Sequence, residues 1–335
     1  MALPAEVWKL DDISPKAYQH PADRATTAAL ANVPYLDQVV RKLVALGYER
    51  SLRTATLGAA VRLGDNQLPH VHKLQREVFN VLDHEPVPDL YITQNPMANA
   101  FTGGSEKPVV VMNSEIVRLL DEDGQRVVLA HEAAHVHSDH VLYLTALAIL
   151  KQLVSGTVAR IPMLAGLPMV AVYYALLEWS RSAELSCDRA AALVTRDPEA
   201  VCRALMVITA GEAAEHLSLD AFIAQGMEYQ DVGGAAKLTR MMQDLNVTHP
   251  LPVRRVHYLL DWVKGGEYEA MIGGEYLRRG QEPSVSEEAS AARDHYADRI
   301  SSAVQEAGSS VAEVGQQLGD WLNRQRGGDS DGSKG

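Results

Sequence analysis

A chain of 335 residues is long enough for one large domain or two small ones. Its 31 basic residues against 43 acidic ones leave a formal charge of −12, which argues against a nucleic-acid partner, since such binders carry a basic stripe. Two cysteines, Cys187 and Cys202, are too few for a disulfide framework and read as buried, reduced thiols. No basic stretch followed by an apolar run opens the chain, so no signal peptide is readable and a cytoplasmic location is expected.

In chain order, residues 1–20 read as an irregular arm. Helical spacing follows over Pro21–Ala31, with Asp23 near the start, then over Tyr35–Leu46, Tyr48–Val61 and Leu68–Leu82, where Val71, Leu74, Val78 and Val81 share a face. Residues 1–87 are therefore expected to form a helical N-terminal region. The pattern then changes. Pro88–Thr93 reads as a short strand, Asn95-Pro96 as a turn, and Asn99–Gly104 as the lead into a second turn. The β-branched run Pro108–Met112 is the best strand in the chain. A helix over Ser114–Leu120 and an acidic turn at Asp121–Gly124 precede a helix carrying His131-Glu132-Ala133-Ala134-His135.

Two apolar runs follow, Val141–Leu150 and Ile161–Leu177, the second interrupted by Pro162 and Pro168. They read either as a buried helical hairpin over the preceding helix or as a segment that inserts into or lies on a membrane. Helices are expected over Leu176–Val194, Glu199–Leu217 and Arg254–Val263, with a rigid loop at Thr248–Pro252. Past Gly280 the composition turns to Ser, Glu, Ala and Gly. A thin apolar stripe from Tyr296 to Trp321 reads as a tail helix, marginal or docking, and 326–335 as disordered. A few strands followed by helices make the class α+β, predominantly helical.

The five residues 131–135 carry the chemistry. On a helix, positions four apart share a face, so His131 and His135 can reach one metal ion, and Glu132 lies where a carboxylate can act as base on a water. A catalytic zinc takes a third protein ligand. The candidate lies in Ser180-Arg181-Ser182-Ala183-Glu184-Leu185-Ser186-Cys187-Asp188-Arg189, where Glu184 and Asp188 are also four apart. Glu184 can bind the ion, and Asp188 can take the free N–H of a ligand histidine. Taken alone, both carboxylates could equally pair with Arg181 and Arg189. Ligand type favours one Zn²⁺ per chain without excluding cobalt or manganese. His70, His72, His137, His140, His216 and His257 read as structural or surface histidines.

Four segments in order resemble the M48 zinc metallopeptidases, a gluzincin family that includes CAAX-prenyl endopeptidases and the HtpX heat-shock proteases. They are Asn99-Ala100-Phe101; His131-Glu132-x-x-His135-x4-His140; Ser180-Arg181-x-x-Glu184-x-x-x-Asp188-Arg189; and His249-Pro250-x4-Arg255. The resemblance implies a zincin-like core over residues 88–265 with a small β-sheet, followed by a C-terminal extension, 266–325. It implies His131, His135 and Glu184 as Zn²⁺ ligands, Glu132 as general base and then acid, and Asp188 orienting a ligand histidine. His249 and Arg255 would lie near the metal, stabilising the oxyanion or holding the site's shape. Asn99, Ala100 and Phe101, with an edge strand carrying Val109, Val110 and Val111, would pair with an extended polypeptide.

The multi-span family members have long membrane segments that this chain lacks outside 141–177, so a soluble or peripheral bacterial member is expected. The expected activity is zinc-dependent cleavage of unfolded or damaged polypeptides. The alternatives are a chaperone-like binding module with weak or gated proteolysis, or an enzyme gated by its N-terminal third or its tail. Cleavage preference and oligomeric state are not legible in the sequence.

Overall fold

The computed structural model describes residues 8–30, 40, 48–104, 107–154, 167–231 and 251–282. The expected helix over 35–46, the middle of the apolar hairpin, the loop bearing His249 and everything past Glu282 lie outside the described residues.

The architecture is α+β and mostly helical. Helices α1 (Pro21–Leu30), α2 (Tyr48–Ala59) and α3 (Pro69–Val81) lead into the sheet. The sheet has four strands, β1 (Val61–Arg62), β2 (Asp89–Thr93), β3 (Ala100–Gly103) and β4 (Val109–Asn113), in the spatial order β1-β2-β4-β3. The β2–β4 pair is parallel and the other two are antiparallel. Next come α4 (Ser114–Leu119), α5 (Glu122–His137), α6 (Val141–Val154), α7 (Leu167–Thr195), α8 (Pro198–Ala210), α9 (Leu219–Asp231), α10 (Pro252–Lys264) and α11 (Glu267–Ile272).

The sheet corrects one expectation. The Pro108–Met112 run is a strand, but β4 lies inside the sheet between β2 and β3, and Val109, Val110 and Val111 are buried. The edge beside it is β3, a segment read as the lead into a turn because Ala and Gly are poor strand formers. It pairs with β4 with Phe101 opposite Val111 and Thr102 opposite Val110. Two further bonds pin the entry: Asn113 N–H donates to Asn99 O at 2.9 Å, and Asn113 Nδ2 donates to Met97 O at 2.9 Å. Residues 61–62, read as the end of a helix, form β1 instead.

Helix α5 starts at an Asp121 cap, whose carboxylate accepts from Gly124 N at 2.9 Å, and the expected acidic turn is its first turn. It packs mainly against α7. The contact is built from small residues, Ala130, Ala133 and Ala134 on α5 and Ala190, Ala191 and Ala192 on α7, all fully buried. Without large side chains the two axes can lie close, which lets a short carboxylate on one helix reach imidazoles on the other. The described part of the apolar hairpin packs on itself: Leu147 and Leu150 of α6 and Val172, Leu176 and Trp179 of α7 share one buried cluster. No helix among the described residues is long and apolar enough to cross a membrane.

Candidate metal centre

Helical geometry puts His131 and His135 one turn apart on the face of α5 that meets α7, with ring centroids 5.1 Å apart. Glu184 of α7 lies across from both. One of its oxygens is 3.4 Å from His131 Nε2, and the other is 3.5 Å from His135 Nε2. These separations are long for N–H···O hydrogen bonds. They match the edge of a tetrahedron around a small ion, about 3.4 Å for ligand bonds of about 2.0–2.1 Å. The donor set therefore fits zinc, and Glu184 has the geometry of a third donor. Cys187 is a nearby sulfur: its Sγ and one ring nitrogen of each histidine lie within 4.8 Å of one another. Its Sγ is also 4.0 Å from His140 Nδ1, and burial holds its thiol pKa well above the usual range. Glu184, with one oxygen towards each Nε2, is the better match.

Both imidazoles are oriented from behind. His131 Nδ1 is 3.1 Å from Asp188 Oδ1, so the neutral ring keeps its proton on Nδ1 and has its Nε2 lone pair for a metal on the Glu184 side. Asp188 is gripped in turn by Arg255 of α10, whose Nε and Nη2 donate to the two carboxylate oxygens at 2.7 and 2.5 Å. The Arg255 fork thus lies on Asp188, with Nη1 3.4 Å from Glu184. Burial alone would raise the Asp188 pKa, but Arg255 and His131 hold it below the ordinary carboxylate value. Burial works against the His131 cation, yet Glu184 and Asp188 outweigh it and push the pKa up to about 9. His135 goes the other way, lowered by burial.

Glu132 is buried on α5, and a residue the sequence reading missed reaches it. Thr102 Oγ1, on the edge strand, donates to Glu132 Oε2 at 2.6 Å. Alternation along β3 turns Thr102 inward and leaves Phe101 42% exposed, so the strand that would carry substrate also holds the candidate base. Reading 100–103 as a strand would have exposed this signal. Asn99, Ala100 and Phe101 lie at or on this edge, whereas Val109, Val110 and Val111 form the buried interior of the sheet. His249 lies outside the described residues. His137 is buried, with Nδ1 2.9 Å from the Tyr18 hydroxyl, and Arg189 stacks over Trp262 with Cζ 5.0 Å from the ring centroid.

The model of peptidase family M48 matches residues 67–263. A plastoglobule-localized metallopeptidase 48 of the chloroplast of Arabidopsis thaliana is 34% identical over 278 residues, 81% of this chain and 78% of the relative. Protease HtpX homologs of Burkholderia multivorans and Burkholderia cenocepacia are each 27% identical over 234 residues, 63% of this chain and 80% of theirs. No solved structure matches significantly.

Proposed function

The chain belongs to peptidase family M48 and is a metalloprotease, and on that footing we propose that it is a zinc endopeptidase with one ion held by His131, His135 and Glu184, acting on unfolded or damaged polypeptides. The observation that carries the metal assignment is the placement of the Glu184 oxygens at 3.4 and 3.5 Å from the two Nε2 atoms. The quality-control role is supported by likeness to the protease HtpX homologs alone.

When bound, the ion supplies a Lewis acid that activates water and polarises the scissile carbonyl. The chain's residues do the rest. An extended substrate adds to the outer edge of β3, with Phe101 facing its side chains. Glu132 takes the attacking water's proton and returns it to the leaving amine. Thr102 fixes Oε2 of that carboxylate and leaves Oε1 for the water. Asp188, clamped by Arg255, fixes the His131 tautomer. His249 is assigned to the developing oxyanion. Peripheral attachment to a membrane through 141–177 is part of the proposal, supported by its apolar composition and by the plastoglobule in the plant relative's name, and vesicle flotation tests it.

The deciding comparison is wild type against Glu132→Gln on an unfolded, fluorogenic casein, with zinc counted in both. Cleavage by wild type alone, with one zinc per chain in each sample, is the expected result. Equal cleavage by both would remove Glu132 from the mechanism. Zinc in both with cleavage in neither would favour a gated enzyme or a binding module.

A further inference from the structure

Each histidine of the pair is backed by a buried carboxylate, and only one of these carboxylates lies in the span that matches the family. Asp188 meets His131 directly. On the other side, His135 Nδ1 is 3.2 Å from His140 Nδ1, and His140 Nε2 is 3.2 Å from Asp23 Oδ2. Asp23 comes from α1, more than forty residues before the family match begins at residue 67. All three groups are sealed from solvent, with Asp23 0%, His140 2% and His135 3% exposed. An ionised carboxylate is costly at such a place unless donors surround it. Asp23 has them: Ser186 Oγ donates to Oδ2 at 2.6 Å and Thr27 Oγ1 to Oδ1 at 3.2 Å. The ring of Trp179 stands edge-on to His140 at 5.4 Å, and its Nε1 donates to Thr27 Oγ1 at 2.8 Å, which fixes the plane of the imidazole.

Proton placement leaves one arrangement of neutral rings. His135 Nε2 faces Glu184, so its proton sits on Nδ1 and is donated to His140 Nδ1. His140 then carries its own proton on Nε2, the atom that faces Asp23. The hydroxyls of Ser186 and Thr27, with the His140 Nε2 side facing Oδ2, give an ionised Asp23 the donors that a terminal acceptor needs.

We propose that His140 and Asp23 are positioning residues for His135, a relay from α1 that sets its tautomer and ring plane as Asp188 does for His131. The α1 helix is then a working part of the metal centre, not a decoration on it. This rests on the reading of His131, His135 and Glu184 as the ligands.

The test is zinc affinity of the full chain, by chelator competition, with folding followed by circular dichroism. Loss of a partner behind a ligand histidine typically weakens metal binding by about 10–100-fold. Asp23→Asn is expected to show a loss of that size, and the absorption bands of its cobalt(II)-loaded form are expected to shift. Thr26→Ala removes a buried hydroxyl that bonds Ala22 O and Asp23 O within α1, leaves every donor to the Asp23 carboxylate, and is expected to bind zinc like wild type. An equal loss in Thr26→Ala would make α1 a mere structural support and overturn the proposal. If Asp23→Asn does not fold, His140→Gln takes its place, since Asp23 keeps its hydroxyl donors there. Wild-type affinity in either folded variant overturns the relay. His135→Ala separates the two readings: if it loses zinc while Asp23→Asn and His140→Gln do not, only the relay fails, and if it keeps zinc, the ligand assignment fails as well.

Discussion

A buried carboxylate can serve as a base only if one oxygen is held and the other is left for the reactant. Thr102 does the holding at Glu132 Oε2. A hydrogen bond to a charged group is worth about 1.5–3 kcal/mol, which corresponds to roughly 10–100-fold in rate if it is fully used in the transition state. Thr102→Val, which keeps the shape and removes the hydroxyl, is expected to lower kcat within that range while zinc content and KM hold. Thr102→Ser should recover most of the loss. A Val variant with wild-type kcat would leave Glu132 positioned by other contacts. This residue also marks where sequence reasoning stops. His131, His135, Glu184 and Asp188 were legible because helical periodicity turns spacing into a shared face. Thr102 and Glu132 are thirty residues apart and meet across a sheet–helix contact, and Asp23 meets His140 across a longer gap still. No spacing rule encodes either contact.

Among the elements, β3 and α6 depend on one another. The Thr145 hydroxyl of α6 accepts from Gly104 N at 3.1 Å and donates to Gly104 O at 2.8 Å, closing off both backbone groups where the edge strand ends. Gly104 sits at φ +114°, a conformation open to glycine, and a Cβ there would lie 3.1 Å from Lys107 O. Thr145→Val would leave a buried N–H and C=O without that partner, at about 1–3 kcal/mol for each unsatisfied group. The expected outcome is a lower Tm together with a raised KM for extended substrates, because the strand proposed to receive them loses its anchor. A lower Tm with unchanged KM would separate the edge from substrate binding. The same contact bears on the apolar 141–177 stretch, since α6 cannot leave the fold without releasing the strand end. Sequence patterning located α6 by its apolar run. It passed over β3 because Ala-Phe-Thr-Gly has neither the length nor the propensity of a strand and becomes one only beside β4.

Across the whole molecule, the two ends of the described chain close over one core. Leu10 N donates to Val81 O at 2.8 Å, Ser14 N to Leu277 O at 3.0 Å, and Ile13 pairs with Arg278 in an isolated bridge. A single hydrophobic cluster runs from Leu10 to Met271, and the arm lays Tyr18 against His137 at the end of α5. That closure sets the pH behaviour of the protein. Burial holds His137 neutral down to about 4, and His84 and His135 are also lowered by burial. A histidine with a depressed folded pKa leaves the unfolded chain binding more protons below about 6.5, so stability falls as pH drops from about 6.5 towards 4. His131 has the opposite sign. Its folded pKa of about 9 lies above the unfolded value, so its contribution is complete below about 6.5 and is lost as pH rises through 9. Metal-free protein should therefore show its highest Tm near pH 6.5, with a decline on each side worth on the order of 3 kcal/mol. In the proposed site zinc would take the place of the His131 proton, so the loaded protein should lose the decline between pH 6.5 and 9 and keep the acid one. The buried thiols add an alkaline loss only above their ordinary value of 9.0, outside this window. Thermal unfolding from pH 4.5 to 8.5, with and without a chelator, measures both limbs. Identical alkaline limbs in the two forms would mean that His131 does not exchange a proton for the ion.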